Sequence, residues 1–247
     1  AYVADMRDRS YQIWETKLKE LSEFRNIPLE ILQKAGIFYV GDMAEMIVPS
    51  FLNDVKNFGV ISPTNKKPIF NHRYVIPILN EVGKVINLVG YSTSADERYI
   101  YGTAQYYRRT DTLYGLENLQ LAYNMGYAVQ VEGITDTLSL RKVDILNSFG
   151  NCGTHSSEYI QSQLNRCEYG VIKIPDRDEA GNRAKKGWIT NRYITLYPPL
   201  QFKDIDQMLR DDANIEWFMD YFNECVKLLK SSKHNGMTSA SLEVTIM

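Results

Sequence analysis

The chain has 247 residues, 44% of them hydrophobic, with 28 basic and 30 acidic side chains and a formal net charge of −2. That length holds one large domain or two small ones, and the apolar content is enough to fill packed cores. The near-neutral balance excludes a uniformly basic nucleic-acid binder while leaving room for a local basic groove beside an acidic, cation-filled site.

Residues 5–25 carry Ile13, Trp14, Leu18, Leu21 and Phe24 near helical spacing, which predicts a helix. Pro28 suits the first turn of a second helix, PLEILQKAG, which Gly36 ends. Residues 57–71 are rich in turn formers and read as a loop. RYVIPILN and KVINLVGYS follow, two β-rich runs around Glu81-Val82-Gly83, and predict a hairpin, with ERYIYG as a further strand. Residues 115–125 read as a helix stopped by Gly126.

From there the pattern alternates. YAVQVEG, DILNSFG, YGVIKIP and RYITLYP read as strands, with TDTLSLRKV, HSSEYIQSQLNR and EAGNRAKKGWITN as helices between them. Such alternation means a parallel sheet covered on both faces, here over residues 122–200. Residues 205–230 read as helical, with an apolar stripe of Trp217, Phe218, Tyr221, Phe222 and Val226. The end, SSKHNGMTSASLEVTIM, is polar and reads as tail or linker.

Cys152, Cys167 and Cys225 lack the paired spacing of a disulfide framework or zinc ribbon. Cys152 and His155 stand at ligand spacing, but no second pair exists, so zinc is not expected. No signal peptide or long apolar stretch is present. The chain reads as cytosolic with no membrane partner, and, opening on Ala1, as a fragment or a processed product.

Three acidic clusters occur in order: Glu132 in VQVEGITDTLSL, Asp176 and Asp178 in VIKIPDRDEAGNRA, and Asp204 and Asp206 in FKDIDQML. The first two follow predicted strands, and an open α/β sheet binds ligands at its strands' C-terminal ends. Converging carboxylates repel unless cations neutralise them, so the set points to a divalent metal site that handles phosphate. On position alone Glu132 reads first as an acid near a helix N-terminus, and Asp136, in the first turn, more so. Asp176 and Asp178, at i and i+2, share one side of an extended backbone, although Asp178 alone also suits an N-cap. There is no phosphate-binding Gly-x-x-x-x-Gly-Lys-Ser/Thr loop, no Gly-x-Gly-x-x-Gly after a strand, and no Ser/His/Asp constellation. His72, His155 and His234 are scattered and read as surface or loop residues.

Glu-Gly after a strand, then Asp-x-Asp after a later strand, resembles the Toprim domain of DnaG-type primases, topoisomerases, OLD-class nucleases and RecR-type recombination proteins. RYVIPILNEVGKVINLVGYS and ERYIYGTAQYYRRTDTLYGLENLQLA narrow the choice. Their order resembles the RNA-polymerase core of a bacterial or phage DnaG-type primase, over residues 26–211. The resemblance implies a mixed α+β subdomain (1–121), a Toprim-type parallel-sheet subdomain (122–211) and a C-terminal helix with a polar tail (212–247). It implies Mg²⁺ or Mn²⁺ held by Glu132, Asp176, Asp178, Asp204 and Asp206, of which Glu132, Asp176 and Asp178 are catalytic, with Asp136 as a supporting acid. Arg73, Arg98, Tyr99 and Arg109 match positions that line a groove for template or nucleotide. The implied activity is RNA primer synthesis on single-stranded DNA from ribonucleoside triphosphates during replication, with a replicative helicase as partner. Tyr101 stands where the primase pattern has Asn, and the 247 residues read as the core without the zinc-ribbon module of that family. A Toprim nuclease and a non-catalytic RecR-like mediator are the competing readings. Tyr99, Tyr101, Tyr106 and Tyr107 fit a base-stacking surface or a β-rich core rim equally well.

Overall fold

The structure is a computed structural model and describes residues 11–42, 57–103, 108–153, 156–177, 192–234 and 240–245. It divides into two compact units, residues 1–107 and 108–247.

In the first unit, helices α1 (Tyr11–Arg25) and α2 (Leu29–Lys34) precede four strands: β1 (Phe38–Val40), β2 (Arg73–Leu79), β3 (Val85–Tyr91) and β4 (Tyr99–Tyr101). They form an antiparallel sheet in the order β1-β2-β3-β4. The expected hairpin is present. Gly83 takes a left-handed φ of 75° in its turn, where the Asn80 Oδ1 accepts from the backbone amides of Val82 and Lys84. One sheet face buries Phe38, Val40, Val75 and Leu88 against Val60 and Phe70. The other carries four tyrosines in register: Tyr39 opposite Tyr74, Tyr74 opposite Tyr91, and Tyr91 opposite Tyr99. Their ring centroids lie 5.3, 6.3 and 5.0 Å apart. Helix α1 packs on this row: the Tyr74 hydroxyl donates to the Lys17 carbonyl, and the Arg25 guanidinium lies over Tyr91 and bonds its hydroxyl.

In the second unit the alternation holds. The strands are β5 (Leu113–Tyr114), β6 (Tyr127–Val131), β7 (Ser148–Asn151), β8 (Gly170–Ile174), β9 (Arg192–Tyr197) and β10 (Ala240–Thr245). The helices are α3 (Leu119–Met125), α4 (Ile134–Lys142), α5 (Glu158–Leu164), α6 (Ile205–Leu209) and α7 (Ile215–His234). The sheet order is β10-β9-β8-β6-β7-β5, parallel throughout except that β5 runs antiparallel to β7. Strand side chains alternate between two cores. Val129, Val131, Ile172, Ile174, Ile194 and Leu196 face α4, α6 and α7, whereas Ala128, Phe149 and Val171 face α3 and α5. Phe218, Phe222, Cys225 and Leu229, at helical spacing, make the buried stripe of α7, while Trp217, Tyr221 and Val226 are only partly buried.

Three differences from the sequence reading stand out. The boundary between units falls at 107/108 rather than 121/122, because β5 and α3 belong to the second sheet and its core. Residues 212–247 are no appendage: α7 closes the core over β8 and β9, and the segment read as tail supplies β10, paired along β9. Strand β1 went unpredicted because three residues are too few to show alternation. The helix expected over 179–191 lies outside the described residues. Among the described residues no helix is long and apolar enough to cross a membrane.

Candidate metal centre

Strands β6 and β8 are neighbours, paired from Tyr127–Gly170 to Val131–Ile174, so the segments after them leave the sheet side by side. The first turns from Val131 through Glu132 and Gly133 into α4. The turn sits tight against β7: a Cβ on Gly150 would lie 2.4 Å from the Gly133 carbonyl oxygen and 2.6 Å from the Thr137 Oγ1. Only glycine at 150 permits that approach. Thr137 reinforces the turn by donating its hydroxyl to the Gly133 carbonyl at 3.0 Å. Asp136 is thereby held in the first turn of α4 with only 5% of its surface exposed.

Three carboxylates converge here. Asp136, Asp176 and Asp204 each offer an oxygen, and these oxygens lie within 4.8 Å of one another. Burial, then the charges of Asp176, Asp204 and Asp206, push the Asp136 carboxyl well above its ordinary 3.8. Asp204 is the N-cap of α6, where its Oδ1 accepts from the Gln207 amide at 2.7 Å. Glu132 stands beside the trio and orders it: its Oε1 accepts from the Asp176 amide at 3.2 Å. The Lys203 ammonium lies 3.8 Å from Asp176.

Asp206 is placed differently from Asp204. It is 2% exposed; its Oδ1 accepts from the Ser139 hydroxyl at 2.8 Å and its Oδ2 from the Arg210 guanidinium at 2.5 Å. Its amide donates to the Asp136 Oδ1 at 3.2 Å. Both carboxylate oxygens are engaged away from the trio, so Asp206 links α4 to α6 and steadies Asp136. Asp178 lies outside the described residues. Asp136, ranked from sequence as a supporting acid, sits at the centre, and the Glu-Gly-x-x-Asp spacing was its signal.

The basic and aromatic candidates divide between the units. Arg73, Arg98 and Tyr99 belong to the first; Arg109, exposed in a short 3-10 turn, belongs to the second with the acids. The Arg73 Nη1 donates to the carbonyls of Glu97 and Arg98 at 2.9 and 3.3 Å, anchoring the approach to β4. Arg98 is exposed. Tyr99 is half-buried against Tyr91, which fits the rim reading for that ring. Tyr106 and Tyr107 lie outside the described residues.

The donor set suits a hard divalent cation. Three carboxylate oxygens within 4.8 Å of one another could hold a divalent cation, whose charge would favour the ionised form of Asp136.

No protein-family model matches the chain. It is 27% identical over 199 residues to the DNA primase of Aquifex aeolicus, a match that takes in 74% of this chain and about 40% of the relative's length. The crystal structure of the Aquifex aeolicus primase zinc-binding and RNA-polymerase domains superposes with a TM-score of 0.74 at 22% identity, covering 95% of this chain and 64% of that one. A DnaG primase catalytic domain bound to single-stranded DNA gives 0.71 at 19% identity, covering 90% and 78%. The E. coli primase catalytic core gives 0.68 at 18%, covering 85% and 76%. The fold is that of the DnaG primase catalytic core. The chain resembles DnaG-type primases in sequence as well as in fold; in this chain the acids described above lie in α4 and α6 and just after β6, β8 and β9.

Proposed function

We propose that this chain is the catalytic core of a DNA primase, an enzyme that builds RNA primers on single-stranded DNA from ribonucleoside triphosphates. The observation that carries the proposal is the convergence of Asp136, Asp176 and Asp204 within a DnaG-type core. Asp136, Asp176 and Asp204 would hold the cation, with Glu132 fixing the Asp176 segment through its amide; Asp178, two residues on in sequence, is the further ligand that the Asp-x-Asp pattern implies. When bound, Mg²⁺ or Mn²⁺ supplies charge neutralisation for the triphosphate and for the attacking oxygen.

The reaction is attack of a ribose 3′-hydroxyl on the α-phosphorus of an incoming ribonucleotide. A new P–O bond forms as the α–β bridging P–O bond breaks, and pyrophosphate leaves. The chain's own groups position more than they react, since phosphoryl transfer is catalysed mainly by placement and charge. Asp206 takes no ligand role in this reading; it holds Asp136 toward the site. Arg109, exposed, and Arg98, exposed in the other unit, are assigned to template or triphosphate phosphates. Arg73 supports Arg98 by gripping its backbone carbonyl. A replicative helicase is the partner that the primase reading implies, with replication as the setting.

The test is incorporation of labelled ribonucleotides on single-stranded DNA with Mg²⁺ or Mn²⁺. Cleavage of the template without incorporation would replace this reading with a Toprim nuclease. Binding of DNA with neither reaction, and no response to cation, would favour a RecR-like mediator.

A further inference from the structure

Pairing between β8 and β9 ends at Lys173–Thr195, so no sheet bond holds the two acid-bearing segments together beyond that point. Asp176 follows β8 and Asp204 follows β9, yet their oxygens stay within 4.8 Å. Arg177 spans the gap. Its amide donates to the Lys203 carbonyl at 2.7 Å, next to Asp204. Its Nε donates to the Pro198 carbonyl, and its guanidinium lies 5.3 Å from the centroid of Tyr197, the last residue of β9. The backbone bond fixes one edge of the Asp176 segment. The side chain fixes the other, by a charge-assisted hydrogen bond and by stacking on a ring that the sheet already holds.

We infer that Arg177 is a positioning residue that sets the separation of Asp176 and Asp204, and with it the affinity of the site for a divalent cation. The inference rests on the metal-centre part of the proposed function, and not on which reaction the centre serves. Arginine is suited to the position because its planar guanidinium donates in one direction while stacking in another. Lysine keeps the charge but cannot do both. Its place beside Asp176 would otherwise be unfavourable to cation binding, since it adds a positive charge to the segment. Engagement with Pro198 and Tyr197 draws that charge toward β9.

The experiment is Mn²⁺ binding to the full chain, free of nucleotide and DNA, by calorimetry or electron paramagnetic resonance. Wild type, Arg177→Ala, Arg177→Lys and Asp204→Ala are compared, with melting curves in EDTA for each. Loss of groups that orient ligands typically weakens metal affinity by about 10- to 100-fold. Arg177→Ala is expected near the lower end, roughly 10-fold, because its backbone bond to Lys203 survives. Arg177→Lys should fall between Ala and wild type. The EDTA melting curve of the Lys variant should stay close to wild type, so that a loss of Mn²⁺ affinity there is not a loss of fold.

Equal Mn²⁺ affinity in wild type and both Arg177 variants would overturn the inference. So would a rise in nucleotide KM with unchanged Mn²⁺ affinity, since Arg177 would then serve nucleotide binding rather than the separation of the two carboxylates. Absence of Asp204-dependent Mn²⁺ binding in wild type would overturn it together with the metal centre. Wild type that binds Mn²⁺ through Asp204, weakened by Arg177→Ala, but synthesises no primer would uphold Arg177 while removing the primase reading.

Discussion

Replacing Asp136 by Asn should stabilise the metal-free protein and remove its response to divalent cations. The carboxyl is 5% exposed and shares its site with Asp176 and Asp204 at separations up to 4.8 Å. Two unit charges at that distance repel by about 3.5 kcal/mol at an effective dielectric of ~20. Partial exposure of Asp176 and Asp204, the Lys203 ammonium, and protonation of Asp136 itself all reduce the net cost. The Asn Oδ1 can still accept from the Asp206 amide, so that hydrogen bond is kept. A net gain of about 1–2 kcal/mol is expected near neutral pH, or ~2–8 °C in melting temperature. The folded carboxyl ionises above its ordinary 3.8, so the folded state binds more protons than the unfolded state in that window. Stability from this group is therefore lost as pH rises from about 4 through the raised value, and the penalty is full above it. Asn does not titrate, so variant and wild type should converge at low pH and diverge as pH rises. Melting curves in EDTA from acid to mildly alkaline pH measure this directly. Coincident curves at every pH, or a variant less stable at neutral pH, would refute the reasoning.

Arg210→Ala should lower stability by about 2–3 kcal/mol, since it leaves the buried Asp206 carboxylate without its cation; urea unfolding checks it. Gly150→Ala should lower stability by about 1–3 kcal/mol and weaken Mn²⁺ binding as well, because the new methyl displaces the Gly133 turn that carries Asp136. Burial lowers the Lys173 ammonium from 10.5 to about 7, so its stability penalty is full below pH 7 and fades as pH rises toward 10.5. Lys173→Met should be more stable than wild type below pH 7, with the two converging in alkali, as read by chemical unfolding across pH. Arg98→Ala should weaken single-strand binding and flatten its salt dependence without changing Mn²⁺ affinity; identical slopes and affinities would return Arg98 to a solvated surface charge.

Much of the fold was legible because its signals are local. VQV, VIKI and YITLY are dense in β-branched and aromatic residues, and Gly36 and Gly126 end helices with φ of 69° and 79°. Strand β10 was misread because Leu242 and Val244 alternate over too short a run beside a polar stretch. The site was legible as a set of acids but not as a ranking. Asp136 looked like a helix-dipole acid because its depth depends on Gly150 backing onto Gly133, a contact between residues 17 apart. Asp204 and Asp206 look equivalent in FKDIDQML. Their difference comes from Ser139 and Arg210, of which Arg210, one helical turn on, was visible in sequence and Ser139 was not.

The most direct test of the central claim is primer synthesis by wild type and Asp204→Ala on single-stranded DNA with labelled ribonucleotides and Mn²⁺. Asp204 is chosen because its loss removes a ligand from the trio while its N-cap bond to Gln207 costs only about 1 kcal/mol. The account predicts Mn²⁺-dependent RNA products from wild type, and loss of both products and Mn²⁺ binding in the folded variant. Undiminished RNA products from a folded Asp204→Ala protein, or none from wild type that binds both Mn²⁺ and template, would contradict it.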